Sequence, residues 1–114
     1  MVLKQTTMQM SQSYGLERKI VPIIVFLWEK VGLCVHRNPL DKKEWNISHF
    51  NSGMSVLTEI DTLEEAKFFM QELYDKGLQD WTFTLEEWSS EENKEVRYEL
   101  KQVVDGLRET VRRI

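Results

Sequence analysis

The sequence has one cysteine and two histidines, Cys34, His36 and His49, the residue types most often used as nucleophile, base or transition-metal ligand. Cys34 and His36 stand two apart in GLCVHR, and His49 sits in WNISHFNSGM. A thiol beside an imidazole is the arrangement of a cysteine nucleophile and its base. On a strand, however, residues two apart hold their side chains too far from each other to share a proton easily. Neither histidine nor the lone cysteine has a partner at the paired spacing of a zinc site. Glycine-rich phosphate loops and the HExxH pattern are absent as well. The paired carboxylates Glu64-Glu65, Glu86-Glu87 and Glu91-Glu92 are adjacent in sequence and near helix starts, where they complement the helix dipole. The residues therefore argue against an enzyme: no catalytic, cofactor-binding or metal-binding residue is expected. Each histidine reads as structural.

The elements that position these groups follow from the hydrophobic pattern. The chain has 114 residues, 41% of them hydrophobic and 30% charged, with a mean hydropathy of −0.45. That is the make-up of one ordered α+β domain, 15–114, preceded by a Gln-, Ser- and Thr-rich segment, 1–14, with no clean period and the look of a loose arm. The longest apolar run, Ile20 to Trp28, is interrupted by Pro22 and is far shorter than the roughly 20 residues a membrane helix needs. With a single cysteine, which suits a reducing compartment, the expectation is a cytoplasmic protein. Ile20–Trp28 is dense in β-branched and aromatic residues and reads as a buried strand, although a short helix from Pro22 to before Gly32 fits the same run.

Leu33–Arg37 reads as the next strand, followed by a polar loop over 38–44. Trp45–Phe50 and Met54–Ile60 form a hairpin. A turn at Ser52-Gly53 would set Trp45 opposite Ile60, Ile47 opposite Thr58 and His49 opposite Val56. Trp45, Ile47, Val56 and Ile60 then share a core face. His49 points into that core, and His36 points to the other face. Thr62-Leu-Glu-Glu65 is a capping box, and the apolar spacing behind it predicts a helix over about 62–76, ended by Gly77. Trp81, Phe83 and Leu85 alternate like a short strand. Ser89 and Glu92 repeat the capping spacing and open a helix over about 90–113, roughly 36 Å long at ~1.5 Å per residue. The second TLEE, at 84–87, has flanks that do not match the first and reads as chance. The predicted fold is thus α+β: a small antiparallel sheet of three to five strands, one amphipathic helix packed on it, and a long C-terminal helix. The apolar stripe of that last helix is close to a coiled-coil seam. It either crosses the sheet or pairs with a second copy as a homodimer through residues 90–114.

Charge is unevenly spread. Residues 1–44 carry seven Lys and Arg against four acids, a balance of +3, whereas residues 59–95 carry three against twelve, a balance of −9. The remainder returns to +2. The leading expectation is a non-enzymatic interaction module that offers this acidic segment to a protein with a basic surface, as an inhibitor or regulator of nucleic-acid-handling machinery of the phage or mobile-element kind. Glu64, Glu72, Glu86, Glu87 and Glu91 supply the charge and Trp88 the anchor.

The order GLCVHR, EWNISHF, SVLTEI, DTLEEAKFF is similar to the pattern of AP2-type and integrase-arm DNA-binding domains, whose three-stranded sheet lies in the major groove with a helix behind it. The resemblance covers residues 31–77. It implies a reading face of Asn46, Ser48, Phe50, Ser55, Leu57 and Glu59, with Arg37, Lys42 and Lys43 on phosphates. The two hairpin strands themselves bring one carboxylate and no arginine to a surface that should be rich in Lys, Arg, Asn and Gln. Nucleic-acid binding is the competing expectation.

Overall fold

The computed structural model describes residues 1–113. Five strands, β1 (Lys4–Tyr14), β2 (Glu17–Trp28), β3 (Leu33–Arg37), β4 (Trp45–His49) and β5 (Ser55–Ile60), form one antiparallel sheet in sequential order. Helices α1 (Leu63–Glu72), α2 (Leu85–Trp88) and α3 (Lys94–Arg113) follow, with a turn of π-helix at Leu73–Gly77 and a 3₁₀ turn at Glu91–Asn93. The fold is α+β with a long C-terminal helix. Among the described residues, no helix is long and apolar enough to cross a membrane.

The N-terminal segment corrects the expectation of a loose arm. Lys4–Tyr14 pairs with β2 in unbroken register, from Lys4 opposite Leu27 to Tyr14 opposite Glu17. Alternation decides this: Met8 and Met10 are buried while Thr7, Gln9 and Ser11 are exposed, which is the pattern of a ribbon wet on one side. β2 joins β3 only through Phe26, Leu27 and Trp28. The rest of the β1–β2 ribbon folds back beneath the sheet, where Met8 Sδ lies 3.6 Å from Cys34 Sγ. The Gln9 carbonyl there crowds Gly53, whose added Cβ would stand 2.7 Å from it. Met8, Met10, Val25, Leu27 and Cys34 make a second, smaller core under the sheet.

The main core lies on the other face. Leu33, Val35, Ile47, Leu57 and Ile60 meet Ala66, Phe69 and Met70 of α1, then Leu73 of the π turn. Thr62 caps α1 by accepting the Glu65 N–H at 3.1 Å. The expected pairing of Trp45 with Ile60 is present, but Ile47 faces Leu57 and Ser48 faces Ser55. Two bulges each add a residue to β5. At the first, Glu59 takes a φ of 63° and its N–H reaches Asn46 Oδ1 at 3.3 Å. Leu57 thereby replaces Val56 on the core face, and Val56 is left half-buried at its margin.

α3 lies against the sheet. Leu100 and Leu107 are buried in the main core, with Val103, Val104 and Val111 packed around them. The middle of the stripe that resembled a dimer seam is thus packed within the chain, while Val96 at its start is 36% exposed. Residues 81–84 form no strand, and Leu85 begins α2. The long helix does begin where expected, through the 3₁₀ turn at Glu91–Asn93, but its N-cap is Ser90 and makes no side-chain capping bond. The capping box lies upstream and opens α2, where the Thr84 hydroxyl accepts the Glu87 N–H at 3.2 Å while Glu87 Oε1 accepts the Thr84 N–H at 3.2 Å. Both TLEE stretches are therefore helix starts, and for the same reason: each threonine takes up an N–H that the first turn leaves free.

Candidate functional site

A cleft of about 570 Å³ opens where the β4–β5 turn, the segment 81–89 and α3 meet. Its framework begins with Trp81, buried, whose N–H donates to the Val31 carbonyl at 2.7 Å and whose Nε1–H donates to Leu78 O at 2.8 Å. Asp80 accepts both the N–H and the hydroxyl of Thr82, and these bonds hold its carboxyl below the usual range. Asn51 Nδ2 donates to Thr82 O at 2.7 Å, tying the hairpin tip to the same segment. Phe83 is thereby sandwiched between His49 and Trp88, with ring centroids 4.4 and 4.5 Å apart and both pairs near parallel. Arg97 closes the far side: its Nη1 donates to the carbonyls of Trp88 and Ser90, fastening α2 to α3. Leu100, Lys101, Val104, Asp105 and Arg108 continue that wall.

The expected acidic residues divide between two places. Glu86, Glu87, Trp88 and Glu91 come together on α2 and the 3₁₀ turn, all three carboxylates exposed and Trp88 half-buried in the stack. Glu64 and Glu72 stand on α1, a different element. Glu72 is only 18% exposed and is held by Lys76 at 2.6 Å. Glu64 pairs with Lys67 and Glu91 with Lys94, each one turn along at 3.6 and 3.7 Å. Pairs as open as these contribute at most about 1 kcal/mol.

Arg37 lies over the Trp45 ring at 4.0 Å and donates to Lys42 O at 3.1 Å, with Lys42 and Lys43 exposed beside it. The reading face implied by the DNA-binding resemblance is split: Asn46 and Ser48 are buried on the face of the sheet that holds Cys34 and the second core, whereas Ser55 and Glu59 are exposed and Phe50 is half-buried. Leu57 is buried on the helix side.

The two histidines do occupy opposite faces, and both are buried. His36 Nδ1–H donates to the Arg37 carbonyl at 2.8 Å, which leaves Nε2 to accept the Ser48 hydroxyl at 2.8 Å. His49 Nδ1 lies 2.6 Å from Ser52 Oγ. Its Nε2 is the one buried side-chain nitrogen or oxygen without a hydrogen bond among the described residues, although the backbone of Trp81 and Phe83 lies close enough to favour a charged ring. Among the described residues, the side-chain partner of each ring is a serine, Ser48 for His36 and Ser52 for His49, and no hydrogen bond joins a carboxylate to either ring. Burial pushes the Cys34 thiol up to about 12, where it is a neutral packing group. Among the described residues, no three His, Cys, Asp or Glu side chains converge on a point that would hold a metal ion.

Burial also holds both imidazoles below their ordinary value of 6.5. The unfolded chain then binds these protons more readily than the folded one, so this contribution to stability is complete above that value and declines as the pH falls below it. The urea midpoint should drop between about pH 7.5 and pH 5, and His36→Gln should flatten part of the slope. A midpoint constant over that range would show the rings to be titrating normally.

The sequence did carry a signal for one wall of the cleft, since Arg97, Lys101, Val104 and Arg108 recur at helical spacing. It carried none for the His49–Phe83–Trp88 stack, whose members approach only through long-range packing. No family model, curated protein or solved structure matches the chain, and the functional reading therefore rests on this geometry.

Proposed function

We propose that this protein is a non-catalytic interaction module of the cytoplasm that offers its α2–3₁₀ segment to a basic protein surface. The observation that carries this reading is the grouping of exposed Glu86, Glu87, Glu91 and Glu92 around half-buried Trp88 and Leu85, the latter 45% exposed. Aromatic and aliphatic anchors ringed by like charges suit an interface in which burial supplies affinity and the charges supply rate and selectivity. A nucleic-acid-handling enzyme has the basic surface that this segment would complement, and the module would regulate or inhibit it by occupying that surface.

The test is capture of partners on the immobilised protein from nuclease-treated host lysate, in parallel with a Glu86→Gln, Glu91→Gln, Glu92→Gln variant. A specific protein partner should survive nuclease, and the variant should slow its association about tenfold or more at low salt. Recovery that disappears with nuclease, or that Arg37→Ala, Lys42→Ala, Lys43→Ala abolishes while the Gln variant does not, would replace this reading with nucleic-acid binding.

A further inference from the structure

We infer that the cleft between the β4–β5 turn, α2 and α3 is a binding site for a small organic anion with a flat apolar body, of the aryl-carboxylate class. Its volume of about 570 Å³ falls within the roughly 300–1,000 Å³ of small-molecule sites. The lining divides by chemistry. Phe83 and Trp88 present aromatic surface, and Leu100 and Val104 present aliphatic surface. Stacking and edge contacts on such walls favour a planar ring system over a flexible chain.

The charge of the lining runs opposite to that of the whole chain. The protein carries a net −4, yet the cleft is lined by Arg97, Lys101 and Arg108 against the single carboxylate of Asp105. That carboxylate is already engaged, 3.3 Å from Arg108 Nη1. Arg97 is bonded to two backbone carbonyls, which orient its guanidinium without neutralising it. Lys101 makes no ion pair among the described residues, and it projects from the same wall one turn along α3. Two uncompensated cations beside an aromatic wall are the complement of an acid group on a ring. His49 at the floor is 4% exposed and stacks on Phe83, which holds that ring in place at the base of the wall.

The site shares Trp88 and Leu85 with the α2–3₁₀ surface, but the glutamates of that surface lie outside the cleft lining, so the two are separable by charge. The probes are 1-naphthaleneacetate and its uncharged analogue 1-naphthaleneacetamide, titrated into the full chain by calorimetry and by tryptophan fluorescence. The acid should bind saturably at one site and about tenfold more tightly than the amide. Lys101→Met, which keeps the aliphatic stem of an exposed residue, should bring the two within about threefold of each other. Trp88→Leu should weaken both probes alike, with circular dichroism confirming that each variant is folded. The Glu86→Gln, Glu91→Gln, Glu92→Gln variant should bind the acid as well as the parent does. Absence of saturable binding, or equal affinity for acid and amide, overturns the inference. So does tighter binding of an acidic peptide such as acetyl-Glu-Glu-Tyr-Glu-Glu-amide than of the naphthyl acid, because the occupant would then be a polypeptide.

Discussion

Phe69→Ala should lower the free energy of unfolding by about 3–5 kcal/mol, a large fraction of the ~5–15 kcal/mol that holds a domain of this kind together. Phe69 is 1% exposed and projects from α1 into the main core, so truncation loses its transfer free energy and leaves a void that the sheet beneath cannot fully close. Its neighbour Phe68 provides the matched control. The two residues are identical in type and adjacent in sequence, but Phe68 is 57% exposed, and Phe68→Ala should stay within about 0.5 kcal/mol of the parent. Equilibrium urea denaturation of both variants decides the matter. A cost below about 1 kcal/mol for Phe69→Ala would mean that α1 does not pack as described.

Gly32→Ala should cost about 2–4 kcal/mol, although it adds one methyl group. Gly32 is buried at a φ of +97°, and a Cβ there would stand 2.7 Å from the Trp81 carbonyl oxygen and 2.8 Å from its carbon. That backbone has no room to retreat, because the Trp81 N–H is bonded to Val31 O and its ring is in the main core. The substitution therefore pushes on the segment that carries Phe83. Tryptophan fluorescence should change along with the urea midpoint as the Phe83–Trp88 stack loosens. Gly106→Ala serves as the opposite case: Gly106 lies inside α3 with nothing within 4 Å of an added Cβ, and the change should stabilise the chain by up to about 1 kcal/mol. Equal effects at the two glycines would contradict the close approach of Trp81 to Gly32.

Several elements were legible because their causes are local. Thr62 and Glu65 marked the start of α1, and the spacing of Ala66, Phe69, Met70 and Leu73 marked its buried face. The alternation of Leu33 with Val35 and of Trp45 with Ile47 placed both strands and set His36 and His49 on opposite sides. The errors also have physical causes. The register of β4 against β5 was read as ideal, but the two bulges, one with Glu59 at positive φ, exchanged Val56 for Leu57, and no residue type announces such a bulge. Met8 and Met10 were too sparse an apolar signal to reveal β1, because their burial comes from folding under a sheet whose residues lie 15 or more positions further along. TLEE at 84–87 was discounted on its flanks, although capping depends on the four residues alone.

The sequence by itself determined where turns of helix begin, which strands alternate, where charge accumulates and which side of each strand a histidine occupies. All of these follow from contacts between residues a few positions apart. Only the tertiary structure decided what covers each face. The β1–β2 ribbon covers Cys34 on the face of the sheet where Asn46, Ser48 and His36 are also buried. α3 turns Leu100 and Leu107 inward and brings Lys101 to the same cleft as Trp88. The cleft is built from segments near residues 49–56, 81–89 and 97–108, and its cationic lining inside an acidic protein arises from their meeting. Local pattern constrains each segment's own conformation; the meeting of distant segments is settled by which arrangement buries the most apolar surface without stranding a polar group.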